Sequence, residues 1–392
     1  MKVQIITPWY PSASQPYKGV FVANQVSGLR ESGIDVAVEV PQIFPAPRGP
    51  IPQAVWDGAE KLADQSPELV FPLIGDATHI PCPVPSRSGI PGRCRSFANG
   101  IKMKRKYIPV DADIEHVHVG LPAATSVAQI SDRPMVITEH SSHVRSECSI
   151  PEVADMYREA IENSSTFICV SNFLQKQIAD ILEVKISEKW KVIPNIVNFD
   201  SFPYVPRENF SCSSWIYVGA FFDTKGVVEL LRVFALYKKQ FAPQATLTLV
   251  GDGPLRSWVE RFARSRGIRD SVIIYGPQNQ EDLQKYLAQA DLMVHLSKYE
   301  TFGLISLEAI ASGIPVISLR NGGGEETWSD LENFCGRILD LDVEENEIVE
   351  AIHDFSLRTS DLDLRFASDS LRQRFSSNSI SNKLIEIYES VL

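Results

Sequence analysis

The chain has 392 residues, of which 44% are hydrophobic and 22% charged, and this composition excludes disordered, collagen-like and disulfide-scaffold proteins. Its 38 Lys and Arg against 49 Asp and Glu give a net charge of −11, which argues against nucleic-acid binding because phosphate contacts need a basic face. The six cysteines are dispersed without a C-x-x-C pair, a pattern that favours free thiols in a reducing compartment.

Short β-branched runs alternate with helical patterns along the whole chain. In the first half these runs cover residues 3–7, 36–40, 115–119, 135–138 and 166–170. In the second half they cover 215–218, 246–250, 271–275, 292–295 and 316–319. Strands that alternate with helices are typical of a parallel sheet covered on both faces. The sequence therefore predicts an α/β fold with two Rossmann-like domains.

A proline-rich and polar stretch, which includes Pro194, Pro203, Pro206 and residues 209–214, separates the two halves and is typical of a linker. We predict a first domain over 1–196 and a second over 197–376. The last helix, within 377–392, carries an apolar face and is expected to return to the first domain. Prolines concentrated in 41–55 and 81–91 predict an irregular insertion there.

A basic segment covers residues 93–106 and contains no acidic residue. Its cations are Arg93, Arg95, Lys102, Lys104, Arg105 and Lys106. One interpretation is that the segment contacts an anionic partner, either a membrane surface or an acidic acceptor. The other is that it forms a solvated helix end. No run reaches the ~18 apolar residues of a membrane span, and the short apolar run before Pro8 is no signal peptide. We expect a cytoplasmic protein, at most peripheral to the inner face of a membrane.

The richest candidate loop follows the run at 292–295 and opens a helix. Glu300 precedes this helix, Gly303 stands at its start and Glu308 lies inside it. A helix N-terminus offers unpaired N–H groups and the positive end of a dipole, which together suit a phosphate. Two flanking carboxylates are good acceptors for sugar hydroxyls. This combination matches a nucleotide sugar; the alternative is an incidental cap with a solvent-facing glutamate.

Three further loops follow strands of the second half. Lys225 comes after the run at 215–218, a Gly-Asp-Gly-Pro-Leu turn begins at Gly251, and three glycines occupy 322–324. A lysine in such a loop can neutralise a diphosphate. The turn lacks the G-x-G-x-x-G fingerprint, so no dinucleotide cofactor is predicted.

Together these residues resemble glycosyltransferase family 4, whose enzymes have two Rossmann-like domains facing across a cleft, the arrangement called GT-B. The family's E-x7-E signature corresponds to Glu300 and Glu308, its lysine-glycine loop to 225–226, and its G-D-G-P-L turn to 251–255. In the first domain the resemblance covers 19–22, 116–118, 138–140, 170–171 and 193–195.

The resemblance implies retaining transfer of a sugar from a nucleoside diphosphate to a glycan, lipid-linked or small-molecule acceptor, without a cofactor or an essential metal. It implies that the second domain binds the donor and the first the acceptor. The implied catalytic residues are His140, Glu300 and Lys225. The implied donor-binding residues are Gly19, Gly219, Lys225, Gly251, Glu300, Phe302, Gly303, Leu304, Ile305 and Glu308, and those on the acceptor side are His118, Glu139 and Arg145.

One residue departs from the family pattern. The family commonly has arginine directly after the glycine of the donor loop, whereas this chain has Ala220. Arg320 and Arg145 are candidate substitutes by loop position. The departure keeps open a catalytically inert protein that binds nucleotides or sugars.

Two further hypotheses involve metal ions. A metal-dependent transferase with a D-x-D motif matches residues 111–113, 340–342 and 361–363. His116, His118, His140 and His143 could suggest a metal cluster, although core or hydrogen-bonding histidines are the better interpretation. His295, at the end of a buried strand, is expected to be structural.

Overall fold

The computed structural model describes residues 1–46, 51–85, 88–207 and 211–392, without the side chains of 51 and 52. The chain divides into two units, Met1–Pro194 with Ile380–Leu392 (unit 1) and Asn195–Ser379 (unit 2). The sequence predicted that the first domain ends at residue 196 and that the returning C-terminal helix lies within 377–392. Pro47 and Pro50 of the predicted insertion, and Asn209 of the predicted linker, lie outside the described residues.

Unit 1 contains one eight-stranded sheet. Its strands are β1 (Lys2–Ile6), β2 (Asp35–Ala46), β3 (Leu73–Ile74), β4 (Ala77–Pro85), β5 (Ile114–His118), β6 (Met135–Glu139), β7 (Thr166–Cys169) and β8 (Trp190–Val192). The order across the sheet is β3-β4-β2-β1-β5-β6-β7-β8. Among these described strands, only the β3–β4 pair is antiparallel. The remaining strands run parallel, as strand–helix alternation predicts.

The helices of unit 1 are α1 (Val20–Glu31), α2 (Ile51–Ala63), α3 (Pro67–Val70), α4 (Gly89–Tyr107), α5 (Thr125–Val127), α6 (Val144–Glu147), α7 (Pro151–Asn163) and α8 (Asn172–Leu182), with a π-turn over Gly120–Ala124. Helix α8 begins where the Ser171 hydroxyl accepts a hydrogen bond from Leu174 N. It ends at Glu183 in the left-handed region.

The prediction of an irregular insertion is wrong for residues 41–46 and 81–85, which belong to β2 and β4, and for 51–55 and 89–91, which belong to α2 and α4. Alternate N–H groups of a strand point to opposite sides, so prolines at 81, 83 and 85 remove donors from one side only. Within the described residues, β4 pairs on that side only at Ala77 and Thr78. The prolines therefore lie on an exposed edge, where a strand tolerates them.

Unit 2 contains a six-stranded parallel sheet with the order β11-β10-β9-β12-β13-β14. Its strands are β9 (Ser214–Val218), β10 (Thr246–Val250), β11 (Val272–Tyr275), β12 (Leu292–His295), β13 (Val316–Leu319) and β14 (Gly336–Leu339). The order reverses between β9 and β12, which makes that position the topological switch point.

The helices from unit 2 onward are α9 (Val227–Gln240), α10 (Arg256–Ser265), α11 (Gln280–Leu287), α12 (Leu304–Ala311), α13 (Gly323–Trp328), α14 (Glu332–Cys335), α15 (Glu345–Ser356), α16 (Leu364–Phe375) and α17 (Ser377–Val391). Short 3₁₀ turns cover Asp223–Lys225, Arg269–Ser271, Ser329–Leu331 and Thr359–Asp361. Helix α15 begins with a capping box between Glu344 and Glu347.

The core of unit 2 lies between its sheet and the covering helices. Trp215 of β9 is fully buried and packs against Phe234 and Tyr237 of α9, with ring centroids 5.3 and 4.9 Å apart. Its indole N–H donates to Cys212 O at 2.8 Å, so the ring is buried without an unmade hydrogen bond.

The C-terminal part of α17 packs in unit 1, as predicted. Tyr388 of this helix is fully buried, and its hydroxyl lies 2.6 Å from His116 Nδ1 on β5. The α/β class with two parallel-sheet domains is therefore confirmed, and all ten strands predicted from the sequence are present.

Candidate functional site

Three loops meet at the carboxyl edge of the unit 2 sheet, where β9, β12 and β13 end. Lys298 N donates a hydrogen bond to Thr224 O at 3.0 Å, which joins the first two loops. Glu300 N donates to Asn321 O at 3.0 Å, which joins the second to the third. Because ligands of open α/β sheets bind at such a switch point, this edge is the candidate site.

A cation and a carboxylate face each other across two of these loops. Lys225 Nζ lies 2.8 Å from Glu300 Oε1 and 3.4 Å from Tyr299 O. His295 Nε2 lies 3.1 Å from the same Glu300 oxygen. Burial by itself would raise the pKa of Glu300, but the hydrogen bond from His295 and the charge of Lys225 lower it to about 2. Glu300 is therefore ionised at neutral pH.

His295 lies in the candidate site, although its position in the sequence predicted only a structural role. It ends β12, and its ring nitrogen reaches Glu300 because the loop folds back within five residues. The available signal was its position at the carboxyl end of a strand, since that edge is the ligand edge.

Glu308 lies in the second turn of α12 and is 6% exposed. Burial raises its pKa to about 8, against an opposing effect from Gln280. The two carboxylates of the E-x7-E pattern thus differ in protonation at pH 7: Glu300 is ionised, whereas Glu308 is mostly protonated.

The start of α12 supplies the backbone donors. Gly303 precedes the helix with a φ of +78°, and the amides of Leu304 and Ile305 belong to the first turn, whose N–H groups have no acceptor inside the helix. Phe302, 2% exposed, packs edge-on against Phe375 at 5.6 Å. Its ring anchors the loop in the interior of unit 2.

Gly226 sits where the Lys225 loop passes over β12. Its φ is +71°, and a Cβ at this position would stand 1.8 Å from Leu296 O. Any side chain here would have to displace backbone. The glycine after Lys225 is therefore required by packing of the loop itself.

We expect Gly226→Ala to lower the free energy of unfolding by about 3 kcal/mol, through left-handed strain and overpacking. Urea denaturation of the full chain measures this. Gly267→Ala is the matched control, because Gly267 has a φ of +68° with nothing within 4 Å of its added Cβ; it should cost about 1 kcal/mol. Equal losses for both variants would contradict the close approach to Leu296.

The loops after β9 and β10 interlock beside this site. A Cβ on Gly251 would lie 2.0 Å from Gly219 O, and Phe221 N donates to Asp252 O at 2.9 Å. Ala220 is half-buried in this turn. Arg320, a candidate substitute for the family arginine, is paired with Glu325 and Asp340 at 3.0 and 3.2 Å.

In unit 1, His118 and His140 come together at the carboxyl ends of β5 and β6. His118 Nδ1 lies 2.9 Å from His140 Nε2. The ring of His140 also packs against Phe21 of α1, with centroids 4.5 Å apart. Both histidines are buried.

Glu139 is fully buried beneath His140. One carboxylate oxygen accepts from the amides of His140 and Ser141 at 2.9 and 2.7 Å. The other accepts from Gly120 N at 2.9 Å and from the Tyr157 hydroxyl. Burial raises the pKa of Glu139. Its contacts hold the backbone that carries His140.

Gly19 and Arg145, the remaining predicted residues of unit 1, lie on other elements. Gly19 precedes α1 with a φ of +67°, and a Cβ there would lie 2.1 Å from Trp9 O. This glycine is therefore required by its own loop. Arg145 is exposed on α6.

The basic segment 93–106 forms most of α4, and half of its cations are paired within unit 1. Lys104 and Arg105 lie 2.7 and 2.6 Å from Glu39 and Glu115. Lys106 lies 2.5 Å from Glu60. Arg93, Arg95 and Lys102 remain exposed.

The D-x-D motifs take part in structural contacts. Asp113 accepts from Lys2 N, Asp340 pairs with Arg320, and Asp363 caps α16. Across 1–46, 51–85, 88–207 and 211–392, no three His, Cys, Asp or Glu side chains group as metal ligands. Among those residues, no helix is long and apolar enough to cross a membrane.

Two family sequence models match the chain, one in each half. Residues 19–201 match the model described as Glycosyltransferase Family 4, and residues 214–379 match Glycosyl transferases group 1. The chain belongs to glycosyltransferase family 4. It is therefore a glycosyltransferase, and the family predicted from its loops is confirmed.

The enzyme resembles named bacterial glycosyltransferases along most of its length. It is 28% identical over 298 residues to N-acetyl-alpha-D-glucosaminyl L-malate synthase of Bacillus anthracis, covering 71% of this chain and 75% of the relative. It is 26% identical over 343 residues, 82% of each chain, to TuaC of Bacillus subtilis strain 168, provisionally assigned to teichuronic acid biosynthesis.

Solved structures share the GT-B fold at low sequence identity. Sucrose-phosphate synthase from Thermosynechococcus elongatus is similar with a TM-score of 0.76 at 19% identity, over 100% of this chain and 98% of that one. HepE of Anabaena, in complex with UDP and glucose, is similar with a TM-score of 0.72 at 18% identity over 100% of both chains.

Proposed function

We propose that this glycosyltransferase transfers a sugar from a nucleoside diphosphate to a glycan, lipid-linked or small-molecule acceptor with retention of anomeric configuration. The observation that carries the proposal is the ion pair of Lys225 with Glu300 at the switch point of unit 2, followed by the buried Glu308 in α12. One cation and two carboxylates of opposite protonation suit a molecule with a diphosphate between two polyols. The structural neighbour HepE was solved with UDP and glucose.

Each group of unit 2 has a proposed part in donor binding. Lys225 and the amides of Gly303, Leu304 and Ile305 bind the diphosphate. Glu308 accepts hydrogen bonds from the ribose hydroxyls and releases its proton as it does so. Glu300, already ionised, accepts from hydroxyls of the transferred sugar.

In the proposed reaction the bond between the anomeric carbon and the diphosphate breaks, and its electron pair stays on the diphosphate oxygen. Lys225 and the helix amides stabilise that developing charge. The acceptor hydroxyl forms the new bond on the same face of the sugar, and its proton passes to the departing diphosphate. In the proposed reaction charge stabilisation comes from Lys225 and the α12 amides, and no cofactor takes part.

Unit 1 is proposed to bind the acceptor, and His140 is proposed as a catalytic residue. His118, Glu139 and Arg145 belong to that side. One relative is named N-acetyl-alpha-D-glucosaminyl L-malate synthase and another is named for teichuronic acid biosynthesis. Polysaccharide or glycoconjugate synthesis is the role that we propose for this chain. Arg93, Arg95 and Lys102 are the exposed cations with which α4 would meet an anionic membrane surface.

A thermal-shift panel of UDP, GDP, ADP, dTDP and CMP, with and without EDTA, tests the donor site. One diphosphate should raise Tm whether or not EDTA is present, because a ligand that binds the folded state stabilises it by mass action. At a hundredfold excess over Kd the stabilisation is about 2.7 kcal/mol. The absence of a shift with every nucleotide would count against the donor site, and a shift removed by EDTA would favour a metal-dependent transferase.

The second candidate is an inert GT-B protein that binds nucleotides or sugars. Ala220 favours it, because a methyl group stands where the family commonly carries a guanidinium. If one diphosphate shifts Tm but the protein does not consume the matching sugar donor, the result supports this candidate instead of the transferase.

A further inference from the structure

The ring of His295, at the carboxyl end of β12, is enclosed within unit 2. It is 3% exposed. It stacks on Tyr217 of the neighbouring strand β9, with ring centroids 6.3 Å apart and an interplanar angle of 25°. The Tyr217 hydroxyl lies 3.0 Å from Ala220 O and 3.3 Å from Lys225 O, so that ring is itself tied to the loop after β9. Packing therefore holds the His295 ring in one orientation.

The charge of Glu300 decides which nitrogen of His295 donates. His295 Nε2 lies 3.1 Å from Glu300 Oε1, and Glu300 is ionised at neutral pH. Because an ionised carboxylate can only accept hydrogen bonds, Nε2 must carry a proton. In the part of the chain that the structure describes, Nδ1 is buried without a partner. The bond to Glu300 is therefore the single hydrogen bond of this ring among those residues.

Two donors from different elements meet on the same carboxylate oxygen. Lys225 Nζ, from the loop after β9, lies 2.8 Å from Glu300 Oε1, the oxygen that His295 also contacts. A carboxyl group turns easily about its last side-chain bond, so its orientation depends on such contacts. Lys225 is a point charge on a flexible stem, and in the proposed function it binds the diphosphate. The rigid ring of His295 is the contact that keeps Glu300 in place when the ammonium turns to the ligand.

We infer that His295 is a positioning residue, which holds the Glu300 carboxylate in the orientation that accepts hydroxyls of the transferred sugar. The inference rests on the proposed function, because that function assigns Glu300 to the sugar. It separates two tasks at the switch point: Lys225 serves the diphosphate, whereas His295 serves the residue that recognises the sugar. A change at His295 should therefore affect sugar transfer without affecting binding of the nucleoside diphosphate.

Two amide variants test this separation in the full chain. His295→Gln places an amide N–H near the position of Nε2, whereas the shorter side chain of His295→Asn matches Nδ1 and does not reach Glu300. With the donor identified by the thermal-shift panel, His295→Asn should lower kcat by roughly 100-fold, because a misplaced group at a reacting centre costs about that factor. Titration calorimetry should find its affinity for the nucleoside diphosphate alone unchanged. His295→Gln should recover most of the rate.

A further variant, a control and a spectrum complete the test. His295→Leu lacks any donor and should behave like His295→Asn. His353→Asn is the matched control, because His353 lies on α15, where its ring stacks on Phe241 at 3.9 Å; it should keep the wild-type kcat. Nitrogen-15 and proton correlation spectra of the wild type, labelled at histidine, report the contact without turnover. The signals that His295→Gln removes belong to His295, and they should show a proton on Nε2.

Wild-type turnover in His295→Asn and His295→Leu would overturn the inference. Loss of diphosphate affinity together with turnover in all three variants would also overturn it, since that result marks a structural role. A wild-type spectrum without a proton on His295 Nε2 would do the same. If the wild type consumes no sugar donor, the proposed function fails, whereas the spectrum still decides whether His295 donates to Glu300, so the two failures are distinguishable.

Discussion

Glu308→Gln is expected to weaken binding of the nucleoside diphosphate by roughly 100-fold, because it removes the charge-assisted hydrogen bonds proposed between this carboxylate and the ribose, worth about 1.5–3 kcal/mol each. The same change should stabilise the protein at alkaline pH, since it removes a buried carboxylate. The pKa of Glu308 is raised to about 8, so the folded state binds this proton more tightly than the unfolded state does.

The pH window follows from that direction. The proton stabilises the fold fully below the ordinary glutamate pKa of 4.5, and this contribution is lost as pH rises through about 8. Chemical denaturation should find Glu308→Gln close to wild type at pH 5 and more stable, on the order of a few kcal/mol, at pH 8.5. Glu350→Gln, at an exposed glutamate of α15, is the matched control and should show no such difference.

Nucleotide binding should depend on pH in the opposite sense. Since Glu308 in its proposed role must lose its proton to accept two ribose hydroxyls, affinity in the wild type should rise towards pH 8 by up to about tenfold per unit. Titration calorimetry between pH 6 and 9 measures this slope. A Glu308→Gln variant that kept the slope would show that another group titrates, and the ribose role would be lost.

The loops of unit 2 could be predicted because their signals are local. Each loop follows a short β-branched run and enters a helix, so Lys225, Glu300 and Glu308 reach the same sheet edge by topology alone. The contact between His295 and Glu300 could not be predicted in this way. It depends on the path of one loop, which the sequence does not encode as a pattern.

The ion pairs of the basic segment 93–106 could not be predicted from the sequence either. The segment 93–106 is basic in sequence, yet the partners of Lys104, Arg105 and Lys106 are Glu39, Glu115 and Glu60, of which two lie more than forty residues upstream. Glu39 lies on β2 and Glu115 on β5, which the sheet order brings to either side of β1, whereas Glu60 lies on α2. Strand β4 was not predicted for a related reason. Its prolines lie on the side where, in the part of the chain that the structure describes, β4 pairs only at Ala77 and Thr78, and such an edge tolerates proline.

Lys225→Met is expected to reduce kcat/KM by roughly 1,000-fold, because it removes the one side-chain cation proposed to oppose the diphosphate charge as the bond breaks. It should also raise the pKa of Glu300, since Lys225 is one of the two groups that hold that pKa near 2. Steady-state rates with the identified donor, together with calorimetry of the nucleoside diphosphate, measure both the turnover and the binding effects.

Lys298→Met is the matched control for this variant. Lys298 lies in the loop that carries Glu300, but its ammonium points to Glu229 at 2.5 Å instead of to Glu300. Loss of this exposed pair should cost about 0.2–1 kcal/mol of stability and leave donor binding intact. If both variants lost turnover equally, general loop damage would explain the effect. If Lys225→Met kept its turnover, the charge of the departing diphosphate would have to be stabilised by another group. That group, outside this loop, would then substitute for the family arginine that Ala220 replaces.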